Sequence, residues 1–391
     1  MVKSVPEIKM YARADGSFGI RNHLAVISTV ACANHVAESV ARQVPGSIVC
    51  THPYGCDQLG ADAELTFRIL AAAGFHPNVG GVVVVGLGCE EISAQVLADR
   101  IRESRKPVFS LEIQKTGGTS RAIAQGIEFC RELNGIMNKY DKRISISPRH
   151  LVVGLECGGS DYSSGIAANP AVGICSDMFV SMGAKVVFGE TTELLGAEHI
   201  LVRRAKNEQV GDFIKAKVNS VEKAAERMHV DIRGAQPSPG NIDGGLSTIE
   251  EKSLGGICKT GTGSITDAIE YGYAATTPGL TFMDTPGNDL ACTCGLVSGG
   301  AHLVLFTTGR GTPMGFAYAP VIKITANKDI AQNMAENIDL DLSPILSEGL
   351  SIEDAGKKIF SYALRVAEGE LVAAERLGHR EFGFHRIGPT L

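Results

Sequence analysis

The run GGVVVVGLG at residues 80–88 constrains the fold more than any other stretch of this sequence. It is long enough for a β-strand, far too short to cross a bilayer, and shows no alternation of apolar and polar residues. A strand without alternation is buried on both faces, which is typical of a parallel sheet covered by helices on either side. The run therefore favours an α/β fold.

The segments around this run alternate between strand-like and helix-like patterns. Over residues 24–140, β-rich apolar runs such as LAVISTVA are each followed by a stretch with helical spacing. The pattern restarts at HLVVGLECGGSD (150–161). We therefore predict an α/β chain with two Rossmann- or flavodoxin-like parallel-sheet halves, a first domain over 1–145 and a second over 146–391.

The second half differs from the first by a region rich in Gly, Ser, Thr and Pro that begins near residue 234. This composition predicts a long loop, and long loops in compact enzymes usually serve function. Two more strands, at 280–284 and 301–309, and a C-terminal helix over 351–378 complete the predicted second domain.

Charge and cysteine content exclude several classes of protein. The formal net charge of −6 disfavours a nucleic-acid or anionic-membrane partner, because either normally needs a basic face. The start, MVKSVPEIKMYARADGSFG, has no apolar segment typical of a signal peptide. Ten cysteines at irregular spacing are too sparse for a disulfide scaffold. We expect a cytoplasmic, oligomeric protein whose thiols are mostly free.

Three cysteines follow predicted strand ends and stand beside glycine: Cys56, Cys89 and Cys157. Ligands of open α/β sheets bind at the carboxyl ends of the strands, and glycine lets them approach closely. Three thiolates from separate turns could bind iron and leave a coordination position for substrate. The alternative is three unrelated buried thiols. His52 and Glu190 lie at comparable strand ends and are candidate catalytic residues.

A second cysteine motif, CTC at 292–294, resembles a metal-binding hairpin. Its spacing of one residue is unusual for zinc, and the sequence has no second pair to complete such a site. The motif is therefore a weaker metal candidate than the three glycine-bounded turns.

Three glycine-rich loops carry hydroxyl groups and positive charge: GGSDYSSG (158–165), KTGTGS (259–264) and TTGRGT (307–312). Such groups suit a small polyhydroxylated anion, although each loop could also be an ordinary turn. Arg310 could hold a carboxylate in a bidentate pair, and Lys259 could act as a base or a charge clamp. The other candidate substrate-binding residues are Ser160, Asp161, Thr260 and Thr308.

The longest motifs are RADGSFGIRNHLAVIST, HPYGCDQLG, GLGCEE, GLECGGSDYSSGIAANPAVG, FGETTELLGAEHIL and FTTGRGTPMG. Together they resemble the altronate/galactarate dehydratase family over residues 11–340. The resemblance implies an iron-dependent hydro-lyase that removes water from a sugar acid to give a 2-keto-3-deoxy acid. It implies iron, as Fe²⁺ or an iron–sulfur cluster, at Cys56, Cys89 and Cys157, and it does not include the CTC pair.

Two departures from the family pattern bear on partner and substrate. Longer members carry a small domain before the RADG motif, so the resemblance implies a large subunit with a separate small subunit of about a hundred residues. Two-subunit sulfolactate sulfo-lyases are divided in this way and eliminate sulfite, and Asp57 stands where sugar-acid enzymes commonly have glycine. Dehydration of altronate or galactarate is the first hypothesis, C–S elimination from sulfolactate the second, and a non-catalytic sugar-acid or metal sensor the third.

Overall fold

A computed structural model describes residues 7–139 and 141–388 of the chain. Across these two ranges, no helix combines the length and the hydrophobicity needed to cross a bilayer.

The chain folds into two units. The first, here called the four-strand unit, comprises Lys9–Ile146, Phe316–Ala319 and the residues from Arg380 onward. The second, here called the seven-strand unit, comprises chiefly Ser147–Gly315 and Pro320–His379. Two short segments near the C-terminus thus return to the four-strand unit.

Strands and helices alternate along the four-strand unit. Its strands are β1 (Ile8–Ala12), β2 (Phe18–Gly19), β3 (His23–Ser28), β4 (Ser47–Cys50), β5 (Val79–Gly86), β6 (Val108–Glu112) and β7 (Arg143–Ile146). Its helices are α1 (Asn34–Gln43), α2 (Ala61–Phe75), α3 (Ala94–Arg102), α4 (Ile113–Thr116) and α5 (Thr119–Asn138). Four strands form a parallel sheet in the order β4-β3-β5-β6, and β2, β1 and β7 form a second, smaller sheet.

The parallel sheet is covered on both faces, as the run at 80–88 predicts. All eight residues of β5 are buried. Helices α1 and α5 enclose one apolar cluster against β3 and β5, while α2 and α3 pack against each other and against β5. Gly74 of α2 permits the close contact between α2 and α3, because a Cβ at that position would collide with Ile101 of α3.

The seven-strand unit is built on a larger sheet. Its strands are β8 (Val152–Gly158), β9 (Lys185–Phe188), β10 (Ile265–Ile269), β11 (Gly279–Met283), β12 (Leu303–Thr308), β13 (Val321–Thr325) and β14 (Leu340–Asp341). Its helices are α6 (Asn169–Ser181), α7 (Glu198–Arg203), α8 (Glu208–Arg227), α9 (Ile232–Ala235), α10 (Pro239–Asp243), α11 (Ile249–Ile257), α12 (Asp289–Ser298), α13 (Lys328–Asn333), α14 (Pro344–Ser347), α15 (Ile352–Ala367) and α16 (Ala373–Leu377).

All the pairings in this sheet are parallel, in the order β10-β11-β9-β8-β12-β13-β14. Strand β9, which follows β8 in the chain, pairs with one edge of β8, and β10 and β11 extend the sheet on that side. Strand β12 pairs with the other edge of β8, and β13 and β14 extend the sheet from there. The strand order therefore reverses between β8 and β12, and such a switch point is where open α/β sheets bind ligands. The predicted fold class, with a parallel sheet in each half, is confirmed.

Several local predictions for the second half were wrong. The predicted loop after residue 234 begins at the end of α9 and contains two helices, α10 and α11. The spacing of TELLGAEHILVRRA predicts a helix over 192–205, but the chain forms a 3-10 turn at Thr191–Leu194 followed by α7, since Gly196 has a φ of +84° that a helix cannot accommodate. Strands β10, β13 and β14 were missed, and the C-terminal helix is divided into α15 and α16 around Gly369, whose φ is +113°.

Candidate active site

In the four-strand unit, Cys56 and Cys89 lie in the loops that follow β4 and β5, and both are exposed. Asp57 raises the pKa of the Cys56 thiol, and Cys89 contributes in the same direction because it lies nearby. Among the described residues of this unit, no three His, Cys, Asp or Glu side chains bring ligand atoms within 4.8 Å of one another. Cys157 belongs to the seven-strand unit, and the three-thiolate iron site stays a prediction.

The Cys89 loop is held by a neighbouring carboxylate. One oxygen of Glu90 accepts hydrogen bonds from the backbone N–H groups of Gly88, at 2.6 Å, and Cys89, at 3.0 Å. The other oxygen accepts from the Thr29 hydroxyl at 2.8 Å. Glu90 therefore fixes the direction in which the Cys89 thiol is presented.

His52, a predicted catalytic residue, holds the loop that leads to Cys56. Its Nδ1 accepts from the backbone N–H of Tyr54 at 3.2 Å, so Nε2 carries the proton and donates to the Ser28 carbonyl at 3.0 Å. Burial lowers the pKa of His52 to about 4. The imidazole is thus neutral and has both nitrogens engaged, which gives it a structural role in this unit.

The seven-strand unit gathers its polar residues at the carboxyl ends of β8 and β9. Lys259, in the 3-10 turn after α11, forms an ion pair with Glu190 at 2.6 Å, and both side chains are buried. The second oxygen of Glu190 accepts from the backbone N–H of Cys157 at 3.3 Å. Glu190 itself has a left-handed φ of +65°, and its N–H donates to the Thr285 hydroxyl at 2.6 Å. Strain of this kind at a buried charged residue is typical of functional sites.

The ion pair is stabilised by mutual attraction in a dry environment. Burial alone would lower the pKa of Lys259, but Glu190, together with Cys157 and Glu193, outweighs burial and raises that pKa above its ordinary value. Burial raises the pKa of Glu190, and Lys259 opposes that shift. We conclude that the lysine keeps its proton and that Glu190 is its counter-ion. The structure therefore brings together two of the residues predicted as catalytic.

A third buried group stands beside this pair. Glu156 is fully buried, and apart from the Cys292 thiol its carboxylate oxygens have no hydrogen-bond partner among the described residues. Burial raises the pKa of Glu156, and the charge of Glu190 adds to the shift. Ligand atoms of Glu156, Glu190 and Cys292 lie within 4.8 Å of one another. This is the one such three-residue group found within the described ranges.

Cys292 corrects the interpretation of the CTC motif. The motif lies in helix α12, and not in a hairpin, so its two sulfurs point in different directions. Cys292 Sγ accepts a hydrogen bond from the Thr285 hydroxyl at 3.1 Å, while Cys294 lies 4.0 Å from the Ser298 hydroxyl. Of the two cysteines, only Cys292 belongs to the buried cluster, a name we use for Glu156, Cys157, Glu190, Lys259 and Cys292 with the side chains that contact them.

A cavity of about 190 Å³ lies beside the cluster. It is lined by Thr192, Glu193, Gln236, Ile249, Lys252 and Gly287. Lys252 pairs with Glu193 at 2.7 Å and donates to the Gln236 side chain at 3.3 Å. Burial alone would lower the pKa of Lys252, but Glu193 reverses the shift and raises it, with a contribution from Glu190.

The sequence analysis missed both charged residues of this cavity. Glu193 lies within FGETTELLG, three residues after Glu190, so the motif that pointed to Glu190 contained it. Lys252 lies on α11, whose carboxyl end leads directly to Lys259. It was missed because residues 249–257 were predicted to be loop, which hid the helix that aims Lys252 inward.

The predicted substrate-binding residues divide into two groups. Ser160 belongs to the buried cluster, because its hydroxyl lies 3.1 Å from Cys157 Sγ. Asp161 is structural, since its carboxylate accepts hydrogen bonds from Ser163, Ser164 and Asn327. Asp161 therefore ties the loop after β8 to the loop after β13.

The side chains of the remaining three predicted residues form no hydrogen bond with the ion pair in the part of the chain that the structure describes. The Thr260 hydroxyl donates to the Ile257 carbonyl at 2.7 Å and accepts from Arg204. Thr308 accepts from the backbone N–H of Gly311 at 2.9 Å. Arg310 is exposed, and its guanidinium makes no hydrogen bond or ion pair within the described residues. A carboxylate-binding role for Arg310 stays a prediction.

Two family models match this chain. The model of the D-galactarate/altronate dehydratase C-terminal region matches residues 148–390, and that of the D-galactarate dehydratase/altronate hydrolase second domain matches residues 10–138. The chain belongs to the galactarate/altronate dehydratase family. The resemblance inferred from its motifs is thereby confirmed, and the two matched regions of the family correspond to the two parallel sheets.

Individual members of the family match over most of their length. The chain is 37% identical to the altronate dehydratase of Bacillus subtilis, over 98% of this chain and 78% of that one. It is 36% identical to the (2R)-sulfolactate sulfo-lyase subunit beta of Chromohalobacter salexigens, over 96% of both chains. It is 34% identical to the galactarate dehydratase (L-threo-forming) of Escherichia coli, over 92% of this chain and 72% of that one. All three relatives are lyases, and so is this family member.

Proposed function

We propose that this protein is a dehydratase of a sugar acid such as altronate or galactarate. The observation that carries the proposal is the cavity beside the buried ion pair, at the edge of the sheet where α/β folds bind ligands. A lysine, a carboxylate, a hydroxyl and an amide line it, and these groups suit a polyhydroxylated anion. Relatives named as altronate and galactarate dehydratases support the same substrate class.

The reaction would be an α,β-elimination with Glu193 as base. One oxygen of Glu193 is paired with Lys252, while the other is buried without a hydrogen-bond partner among the described residues. Glu193 would take the proton from the carbon next to the substrate carboxylate. The β C–O bond then breaks, the hydroxyl leaves as water with that proton, and the resulting enol tautomerises to the 2-keto-3-deoxy acid.

Lys252 would bind the carboxylate of the substrate. It is the ammonium group that lines the cavity, and its partner Glu193 also lines it. Binding the carboxylate to a cation stabilises the negative charge that develops when the neighbouring carbon loses its proton. Lys259 lies deeper and is already neutralised by Glu190, so its role is to position that carboxylate.

Iron is the proposed cofactor, and when bound it would assist departure of the hydroxyl as a Lewis acid. Cys56 and Cys89 suit it as donors, because they are exposed, close to each other and fixed at strand ends. We expect anaerobically purified Cys89→Ser to lose iron, while Cys32→Ser, which removes another exposed thiol of the same unit, keeps it. Full iron content in Cys89→Ser would remove that residue from the site.

The activity is tested by anaerobic assay with Fe²⁺ and three acids: altronate, galactarate and sulfolactate. Formation of a 2-keto-3-deoxy acid is expected. Lys252→Met should lower kcat/KM by two to three orders of magnitude, since truncating one partner of a buried charge pair costs about 2–5 kcal/mol. Lys215→Met, which removes an exposed lysine of α8, is the control. Wild-type kinetics in Lys252→Met would place substrate binding elsewhere.

C–S elimination from sulfolactate is the second candidate, because the match with the sulfo-lyase relative spans 96% of this chain and 96% of that one. Release of sulfite from sulfolactate, without product from either sugar acid, would favour it. Absence of turnover with all three acids would favour a non-catalytic sensor.

We also propose a separate small subunit, because that same relative is named as a subunit beta. A second polypeptide that closes over the cavity would exclude water and raise turnover. Assays with and without a co-expressed small subunit test this. Full activity of the present chain alone would contradict it.

A further inference from the structure

We infer that Glu156, Glu190 and Cys292 form a binding site for a divalent transition-metal ion within the seven-strand unit. The three ligand atoms lie within 4.8 Å of one another and are supplied by β8, by the turn after β9 and by α12. The inference concerns binding alone and does not depend on the proposed activity.

Glu156 provides the first argument. Its side chain is fully buried, and its one polar neighbour by hydrogen bonding is the Cys292 thiol, itself one of the three ligands. Neither oxygen has a hydrogen-bond partner outside this group among the described residues. A buried carboxylate normally has its lone pairs satisfied, because leaving them unpaired costs about 1–3 kcal/mol or more. A cation within reach of Glu190 and Cys292 as well would satisfy both oxygens.

The charge balance of the surrounding cluster provides the second argument. The cluster contains four carboxylates, Glu156, Glu190, Glu193 and Asp289, and two ammonium groups, Lys252 and Lys259. When all are ionised, two negative charges remain uncompensated in a largely buried region. A divalent cation would offset both of them and leave only the single charge of a Cys292 thiolate, and without a cation the carboxylates must take up protons.

The hydrogen bonds around Cys292 provide the third argument. The Thr285 hydroxyl accepts from the N–H of Glu190, so its own proton points to Cys292 Sγ. This bond links two of the proposed ligands through one side chain, as metal sites commonly do. Gly189 keeps the space open, because a Cβ there would collide with Thr285 and lie 3.1 Å from Cys292 Sγ.

The donor set defines the class of ion. A thiolate with two carboxylates suits Fe²⁺, Co²⁺ or Zn²⁺, whereas Mg²⁺ and Ca²⁺ prefer oxygen donors alone. Three protein ligands also leave coordination positions open.

The test uses Co²⁺ because a cobalt–thiolate bond gives a charge-transfer absorption band. Metal-free protein carrying both Cys56→Ser and Cys89→Ser is titrated, so that the exposed thiols cannot contribute. One Co²⁺ per chain with a thiolate band is expected. Cys292→Ser should abolish the band, and Cys294→Ser, two residues along the same helix, should keep it. Glu156→Gln, which preserves shape, should weaken binding at least tenfold.

Three outcomes would overturn the inference. One is absence of Co²⁺ binding in this background, which would mean that protons balance the cluster. Another is a band that survives Cys292→Ser, as it would if Cys157 supplied the thiolate, and the third is a Co²⁺ affinity that does not change in Glu156→Gln. Circular dichroism of each variant identifies misfolding, and Glu156→Gln gives an independent result if Cys292→Ser does not fold. Since no readout involves turnover, failure here is distinguishable from failure of the dehydratase proposal.

Discussion

The two parallel sheets place cysteines at the carboxyl ends of their strands, but in opposite surroundings. In the four-strand unit, Cys56 and Cys89 are exposed, and backbone bonds to Glu90 hold the Cys89 loop. In the seven-strand unit, Cys157 is enclosed with an ion pair. Both positions agree with the general observation that functional residues of open α/β sheets lie at the carboxyl ends of the strands.

Burial decides what each region can do. An exposed thiol is solvated and responds to a neighbouring charge such as Asp57 only moderately, because water screens the interaction. In the buried region, each charge depends on a partner, because an unpaired ion in a dry environment is costly. Similar sequence motifs therefore produce an accessible thiol pair in one unit and a tightly coupled charge cluster in the other.

The largest effect should come from Lys259→Met. Removing one partner of a buried ion pair leaves Glu190 uncompensated, so we expect a loss of about 3–5 kcal/mol in the free energy of unfolding. Urea unfolding followed by circular dichroism measures it. In the exposed region, Asp57→Asn should leave the urea midpoint unchanged, since Asn tolerates the φ of +52° found there. Equal effects of the two substitutions would erase the distinction between the regions.

A smaller loss of unfolding free energy should occur when the four-strand unit is acidified, because His52 is buried in its neutral form. Burial lowers the pKa of His52 to about 4, so the unfolded chain binds a proton there first as pH falls below 6.5. The stability that His52 contributes is complete above pH 6.5 and is lost toward pH 4, by about 2 kcal/mol between pH 7 and 5.

His52→Gln should remove this part of the pH dependence when urea midpoints at pH 7 and 5 are compared. His35→Gln, at an exposed position of α1, should keep the wild-type dependence. An identical loss of stability on acidification in wild type and His52→Gln would show that the imidazole titrates normally and is not buried as described.

The smallest effect is a change of one in the number of cysteines that react rapidly with a thiol reagent. This count tests directly whether the thiols are exposed in one unit and buried in the other. With a disulfide reagent, metal-free native protein should react rapidly at the three exposed cysteines, Cys32, Cys56 and Cys89. Cys56→Ser should reduce the rapid count by one, and Cys292→Ser should not change it. Fe²⁺ should protect two of the three. A rapid count that falls in Cys292→Ser would mean that the cluster is open to solvent.

Sequence periodicity determined the fold class, because a buried strand and an amphipathic helix are local patterns that a chain carries in its residue order. The run at 80–88 became the fully buried β5, and the strand ends at Cys56, Cys89, Cys157 and Glu190 were placed correctly. Local pattern was less informative after residue 234, where short helices rich in Gly and Ser are held by tertiary contacts, and it interpreted a helical CTC as a hairpin.

The composition of the buried cluster was decided only by the tertiary structure. Glu156, Glu190 and Cys292 are far apart in the chain, and no spacing rule connects them. They meet because β8 and β9 pair in register and α12 packs against β8. Lys252 and Glu193 were likewise brought together by the packing of α11. Which side chains lose their water, and therefore which charges must find partners, depends on that packing and not on the order of residues.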